Sequence, residues 1–572
     1  MKGLGLVFKD RRRRQRGSVL SGLLIIIAFL AIVVGSIMSE LTSSFLVSRT
    51  LVTRVQREAT VTSAIEVGIH QLQSSAAPAV CARDGRGPWF ASVNGLQAVV
   101  TQSCTQIVPD LSQALATGSF SVDGVHDTTV GRDRYLVGDA SGRLYSYAFG
   151  QVAPIWSITA GGALTAPPTV VRDSSFADLL VPISQSGGEC SGHCVAVFDD
   201  RGGAPAFRCN AATPAVVRAQ PGAETAAGTG HFPNYGFVAD SGGGLSVFNV
   251  DEDSHCVLQV VASLDGTPAG QPLVFPGTVT SRQHDIITSD EVFIVVTGTR
   301  GTMLEHWRYS EVIATDKNGN STITLGEVGS LAVAAGPNAV GYAASSNVPS
   351  IGARLMLAVA SASGGVALAT ITVGSGPTYS MSPVASAVLP GGIARAPYWC
   401  HCPGQDLVGV GSTNGVLYIL DTNLGLRWLY DGQANGRPAI VSTPQADANG
   451  DWYFGADDGY VYDVEVPAAG QQMFNAARFG PGGAIRSSPI VGGAANGCSA
   501  GPCLYFASSG AGSYFVQLGS IRIMDLRACV SAGGGSTACV ASPRLWARVE
   551  VGSPSIVGGS GVYVQAWSYY TP

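Results

Sequence analysis

Twelve cysteines are the residues of this 572-residue chain best suited to chemistry. Most stand as close neighbours: Cys81 with Cys104, Cys190 with Cys194, Cys209 with Cys256, Cys400 with Cys402, Cys498 with Cys503, and Cys529 with Cys539. An even count spaced in this way reads as loop-stapling disulfides, which form in an oxidising compartment. Cys400 and Cys402 fit that reading least well, because a C-x-C bridge closes a very small ring. The histidines inside Cys190-Ser-Gly-His-Cys194 and Cys400-His-Cys402 offer zinc binding by thiolate and imidazole as the alternative. Neither segment is the C-x-x-C-H of haem attachment.

Two acidic loops have the alternating oxygen side chains that open a calcium loop: Asp447-Ala-Asn449-Gly-Asp451 and Asp316-Lys-Asn-Gly-Asn320. Asp447, Asn449 and Asp451 are the metal candidates, and calcium is the one cofactor the chain is expected to hold, if it holds any. Asp458, and not the bidentate glutamate of a calcium loop, stands at the twelfth position of the first loop. Asn-Gly is also the commonest tight-hairpin signal, so plain turns explain both loops as well. No Gly-x-Ser-x-Gly elbow anchors a nucleophilic triad. Trp89, Trp399, Trp567, Tyr569 and Tyr570 are candidates for a binding face, since aromatics are enriched at contact hot spots.

The elements that carry these residues follow from composition and pattern. The chain is 46% hydrophobic and 13% charged, with 74 glycines. It therefore has ample core material, and its low charge and abundant glycine favour short strands joined by tight turns. The formal net charge of −6 is unevenly spread. Lys2, Lys9, Arg11, Arg12, Arg13, Arg14 and Arg16 crowd the first seventeen residues, leaving the remainder strongly acidic and a poor match for nucleic-acid phosphate.

Behind the arginines, Ser18 to Ile37 is uncharged and long enough to cross a bilayer as a helix of about twenty residues. The basic flank places the N-terminus in the cytoplasm. No proline interrupts Ser39 to Leu72, where Leu46, Leu51, Val55, Val61, Ile65 and Ile69 recur at helical spacing, so the membrane helix is expected to continue outward as a rod. Arg14-Gln15-Arg16-Gly17 followed by Ser18 and the apolar run resembles the type IV pilin superfamily, over about the first hundred residues. The resemblance implies processing between Gly17 and Ser18 and assembly with other pilins. Gly22 stands where the family's usual glutamate at the fifth mature position would fall, which implies a minor, tip or accessory subunit. An uncleaved signal anchor is the alternative.

From residue 115 onward one phrase returns, clearest in Val137-Gly-Asp-Ala-Ser-Gly-Arg-Leu-Tyr145, Val410-Gly-Ser-Thr-Asn-Gly-Val-Leu-Tyr-Ile-Leu-Asp421 and Phe454-Gly-Ala-Asp-Asp-Gly-Tyr-Val-Tyr462. Each reads as strand, glycine turn, strand. Weaker copies at His193–Phe198, Gly243–Phe248, Gly301–Trp307, Gly364–Leu368 and Gly519–Asp525 bring the count to about eight units with a period of about 40–60 residues. A Ser/Ala-Pro-small-Val phrase accompanies them at Ala166–Val170, Ser382–Val384, Thr443-Pro444, Ser488–Val491 and Ser553–Val557. The phrases resemble the repeats of quinoprotein-type (PQQ-repeat) β-propellers. An all-β, roughly eight-bladed propeller behind a long N-terminal helix is the expected fold, with Ser553 to Trp567 closing the first blade.

The expected organisation is a basic leader at 1–17, a transmembrane and stem helix at 18–74, a disulfide-stapled connector at 75–114 and the propeller at 115–572. The expected function is non-enzymatic: a single-pass inner-membrane protein whose propeller, periplasmic or extracellular, recognises other pilins, envelope proteins or a host or surface ligand, with the membrane itself as a partner. The alternatives are a signal-anchored envelope scaffold and a PQQ-dependent dehydrogenase. The second would need a cofactor wall that family dehydrogenases build from adjacent cysteines, and no Cys-Cys dipeptide occurs here.

Overall fold

The computed structural model describes Val7–Ser74, 89–116 apart from residue 94, and 120–570 apart from short segments, the longest being 128–132, 186–191, 224–234, 251–255, 315–320, 346–351, 466–473, 493–497 and 552–561. One helix of 68 residues, Val7–Ser74, opens the chain. It runs unbroken through Gly17, Ser18, Gly22 and Gly35, because no proline removes a backbone N–H from it and its leucines and alanines offset the weaker helix propensity of its Ile and Val residues. It is the one helix among the described residues long and apolar enough to cross a membrane.

The strands form eight antiparallel sheets among the described residues. Seven are blades laid down in chain order; five pair their strands in sequence, whereas in blades 2 and 4 the first edge is broken into two and three short segments that all pair with the same next strand. Blade 1 spans 125–159, blade 2 163–213, blade 3 222–263, blade 4 267–332, blade 5 339–388, blade 6 398–431 and blade 7 445–479. The second strand of blade 1 and the third strand of blade 6 are entirely buried, whereas the fourth strand of each is mostly exposed or half-buried, which puts the fourth strand at the rim.

Each blade shares a hydrophobic core with the next. Trp156 of blade 1 packs on Phe198 of blade 2, Phe237 of blade 3 on Trp307 of blade 4, and Ile419 of blade 6 on Trp452 of blade 7. The eighth core joins Tyr505 and Phe515 of the last blade to Tyr135 and Tyr147 of the first. The sheets therefore close into a ring, a fold that leaves only short edges.

Closure differs from expectation. Blade 8 is made of Ile490–Gly492, Cys503–Ser508 and the start of Gly512–Ser531, and its fourth strand comes from the N-terminal side of the ring. Ser112, Gln113 and Ala114 pair with Val516, Phe515 and Tyr514. The last strand, Val562–Tyr570, pairs with Cys539–Val551 instead of completing blade 1. Residues 553–557 lie outside the described residues. Asp123 fastens the same seam, its carboxylate accepting from the Ser488 backbone N–H at 2.9 Å and from its hydroxyl at 3.2 Å.

Leu96–Ala116 and Gly512–Ser531 are 21 and 20 residues long and serve two bodies at once. Their outer halves belong to blade 8. Their other halves, with Trp89–Val93, Cys539–Val551 and Val562–Tyr570, form a five-stranded sheet against the end of the helix. The register slips where Pro109 meets Leu518 and Val108 meets Ile521, a bulge opposite a proline that cannot donate to the ladder. Val61, Ala64, Ile65 and Leu72 of the helix share a core with Ala98, Leu526, Leu545 and Ala547 of that sheet. The propeller is thus an insertion in a helix-on-sheet domain. The segment expected as a connector supplies two of that sheet's strands, and Gly519–Asp525, expected as a repeat copy, lies in the long strand that crosses into it.

Candidate functional site

The repeat phrase builds the same hairpin in successive blades. In blade 1 the Asp139 carboxylate accepts backbone N–H groups from Ser141 and Arg143, both at 2.9 Å, and the Gly142 N–H closes the turn on the Asp139 carbonyl. Asp240 in blade 3 does the same with Gly242 and Gly244. A serine, Ser361 or Ser412, takes the position in blades 5 and 6. Gly142, Gly243, Gly364 and Gly415 all have positive φ, between 80° and 92°, and end the turn where a Cβ would be strained.

The calcium-like loop is another of these turns. Asp447 Oδ1 accepts from the Asp451 N–H at 2.9 Å and the Gly450 N–H bonds the Asp447 carbonyl, so that Asp447–Asp451 joins two strands of blade 7. Asn449 and the loop at 316–320 lie outside the described residues. Among the described residues no three His, Cys, Asp or Glu side chains gather as a metal-ligand set.

Four of the expected cysteine pairs are disulfides: Cys209–Cys256, Cys400–Cys402, Cys498–Cys503 and Cys529–Cys539, with Cα separations between 5.1 and 6.1 Å. Cys209–Cys256 ties the rim of blade 2 to blade 3, and Cys529–Cys539 staples the hairpin of the helix-side sheet. Because Cys400 and Cys402 are bonded to each other, they present no thiolates for zinc. His401 between them is turned outward, its imidazole bonded to Asp406 at 2.8 Å and to the Ser345 carbonyl. The Asp406 carboxylate raises its pKa above the usual histidine value. Cys194 is disulfide-bonded; Cys81 and Cys190 lie outside the described residues, and Cys104 sits in the helix-side ladder opposite Met524.

Trp399 does not belong to an exposed aromatic face. It is 5% exposed and packs between blades 5 and 6 with Val408 and Leu424. Trp89, Trp567, Tyr569 and Tyr570 lie on strands of the helix-side sheet.

The densest ionic chemistry lies buried within and between blades, away from every site residue singled out from the sequence. Arg134 donates to Asp127 at 2.6 Å and to Asp200 of the next blade, and all three side chains are buried. In blade 4, Glu291 is fully buried and is held by His306 at 2.5 Å and Arg308 at 2.6 Å. On the other face of the same strands the Tyr235 hydroxyl donates to Glu311, and Glu305 accepts from the Trp307 indole at 2.9 Å. These carboxylates are occupied by partners within the protein: Arg134–Asp200 and Tyr235–Glu311 pin neighbouring blades together, while Glu291, His306 and Arg308 tie two strands of blade 4.

Burial raises the phenol pKa of Tyr135, Tyr147 and Tyr505 at the seam, with Tyr147 pushed up to about 12. An unfolded tyrosine ionises near ~10. A folded pKa above the unfolded one means that the stabilisation is fully present below about pH 10 and is lost as pH rises through about 12. Phenolate absorbance is expected to show these phenols ionising after the exposed ones and together with loss of tertiary structure. A single titration step, with structure retained, would contradict this.

No family model matches the chain, and no curated protein matches it. Solved structures do resemble it. BamB from Moraxella catarrhalis is 15% identical over 71% of this chain and 97% of its own, with a TM-score of 0.41. Sqt1 from Saccharomyces cerevisiae is 12% identical over 72% and 98%, with a TM-score of 0.44. BBS1N, crystallised in complex with ARL6DN, is 11% identical over 72% and 97%, with a TM-score of 0.38. At these values the likenesses speak to fold alone, and the propeller assignment rests on the eight sheets and the closed circuit of cores.

Proposed function

We propose that this is a non-enzymatic, pilin-like single-pass protein whose stem helix enters an assembly of parallel helices and carries the propeller outward as a recognition surface. The observation that supports the reading is the length of bare apolar helix. From Val19 to Val55 nearly every large apolar side chain is exposed, and the protein's own sheet covers the helix only from Thr60 onward. That stretch is about 55 Å long at ~1.5 Å per residue, against ~30 Å of bilayer hydrocarbon. Roughly half of it therefore needs cover that neither lipid nor the protein's own head provides.

Three hydroxyls of this outer stretch are satisfied within the helix itself. Thr42, Thr50 and Thr53 donate their hydroxyls to the carbonyls of Met38, Leu46 and Arg49, four residues back, at 2.7, 2.8 and 2.8 Å. Such back-bonding satisfies a hydroxyl without water.

The test is fractionation with N-terminal sequencing. A mature N-terminus at Ser18, together with recovery in sheared surface filaments, is the expected result. Retention of Met1 and the arginine run, with all of the protein in the membrane, would replace the pilus reading with a signal-anchored scaffold propeller.

A further inference from the structure

The exposed stem carries a second level of order. Between Val34 and Ala59, alternating steps of four and three residues pick out Met38, Leu41, Phe45, Ser48, Val52 and Val55. All of these side chains are exposed. A 4-3 repeat sustained over three heptads is the spacing that keeps one seam facing a partner helix along its whole length. At about 100° per residue this seam lies on the side of the helix opposite Val61, Ala64, Ile65 and Leu72, the residues covered by the sheet. A partner on the seam therefore leaves the helix-side sheet untouched.

We propose that the seam pairs with the same seam of a second copy of this chain, in parallel, beginning in the outer part of the bilayer and continuing about 30 Å beyond Met38 at ~1.5 Å per residue. The parallel sense follows from topology, since both copies enter the membrane by the same end. Self-pairing is supported by the flanks. In a parallel pair a residue just before one seam position faces the residue five further along the partner. That sets Ser44 beside Arg49 of the other copy, Leu51 beside Gln56, and Glu58 beside Ser63, so no like charges meet. Ser48 makes the one polar layer, and a single polar layer fixes register at some cost in stability. With each sheet on the far side of its own helix, the two heads sit on the outside of the pair.

The proposal rests on the reading that the stem leaves the bilayer, and the experiment separates the two. Among the described residues no cysteine is free, so a single introduced cysteine is the reporter. Full-length chains bearing Leu41→Cys, Ser48→Cys or Val52→Cys on the seam, and Ser43→Cys or Thr50→Cys off it, are oxidised in native membranes. Each is also labelled from outside with an impermeant maleimide. Disulfide-linked homodimers are expected several-fold more abundant at 41, 48 and 52 than at 43 and 50, with 43 and 50 open to the maleimide. Equal cross-linking at all five sites, none at any, or a product containing a different polypeptide overturns the self-pairing while leaving the stem reading intact. Failure of the maleimide to reach 43 and 50 overturns both.

Discussion

Replacing Arg134 by methionine is expected to destabilise the propeller by about 3–5 kcal/mol, the range for removing one partner from a buried ionic group. Asp127 stands on the first strand of blade 1 and Asp200 on the third strand of blade 2, and both are at most 3% exposed. The guanidinium is the cation that bridges them, with the Trp156 ring 5.7 Å away on its other side. Without it, two carboxylates remain buried across a blade interface, where they repel each other and are poorly solvated. Methionine fills much of the space, so a large loss reads as charge and not as a cavity. Urea denaturation measures it. The triple variant Arg134→Met, Asp127→Asn, Asp200→Asn is expected to recover most of the loss, since neutral groups no longer need a counter-ion. A loss below about 1 kcal/mol for the single variant would place the group among solvent-screened surface pairs.

Much of the ring was legible because its signals are local. Asp139-Ala-Ser-Gly142 and Ser412-Thr-Asn-Gly415 write a turn in which the carbonyl of the first residue accepts the N–H of a positive-φ glycine at the fourth, and each falls at the same hairpin of its blade. The proline phrase was less dependable. Thr443-Pro444 and Ser488–Val491 do mark first strands, but Ser382–Val384 lies on a rim strand, where an edge proline costs no ladder bond. The first strand of blade 6 is announced instead by Ala396-Pro397-Tyr398.

What stayed hidden is non-local. Arg134 and Asp200 are 66 residues apart, and nothing near either names the other. The helix-side sheet was hidden for the same reason. Gly519–Asp525 alternates as any blade strand would, and only its pairing with 103–108 on one side and 548–551 on the other reveals that it has left the ring. Asp447–Asp451 shows that one composition can serve two ends. A carboxylate that caps a hairpin by accepting backbone N–H groups has the composition of a ligand loop.

The insertion makes a further substitution informative. Ile65→Asp is expected to release the end of the stem helix from its sheet while leaving the propeller folded. Ile65 is fully buried among Leu526, Ala547 and Val549. Truncating such a side chain alone costs about 2–5 kcal/mol, and a carboxylate without a partner adds its own desolvation. The eight blade cores contain no helix residue, so the ring loses none of its packing. Limited proteolysis of the membrane-bound protein should therefore cut the variant within 60–74 and liberate a compact fragment holding residues 125–517, while the unsubstituted chain resists. If the propeller unfolds together with the stem, the two long strands couple the bodies so tightly that they fold as one. Their shared ladder would carry that coupling, because among the described residues helix and blades have no common core. Pro109 and its bulge would then be the place where a second substitution could sever them.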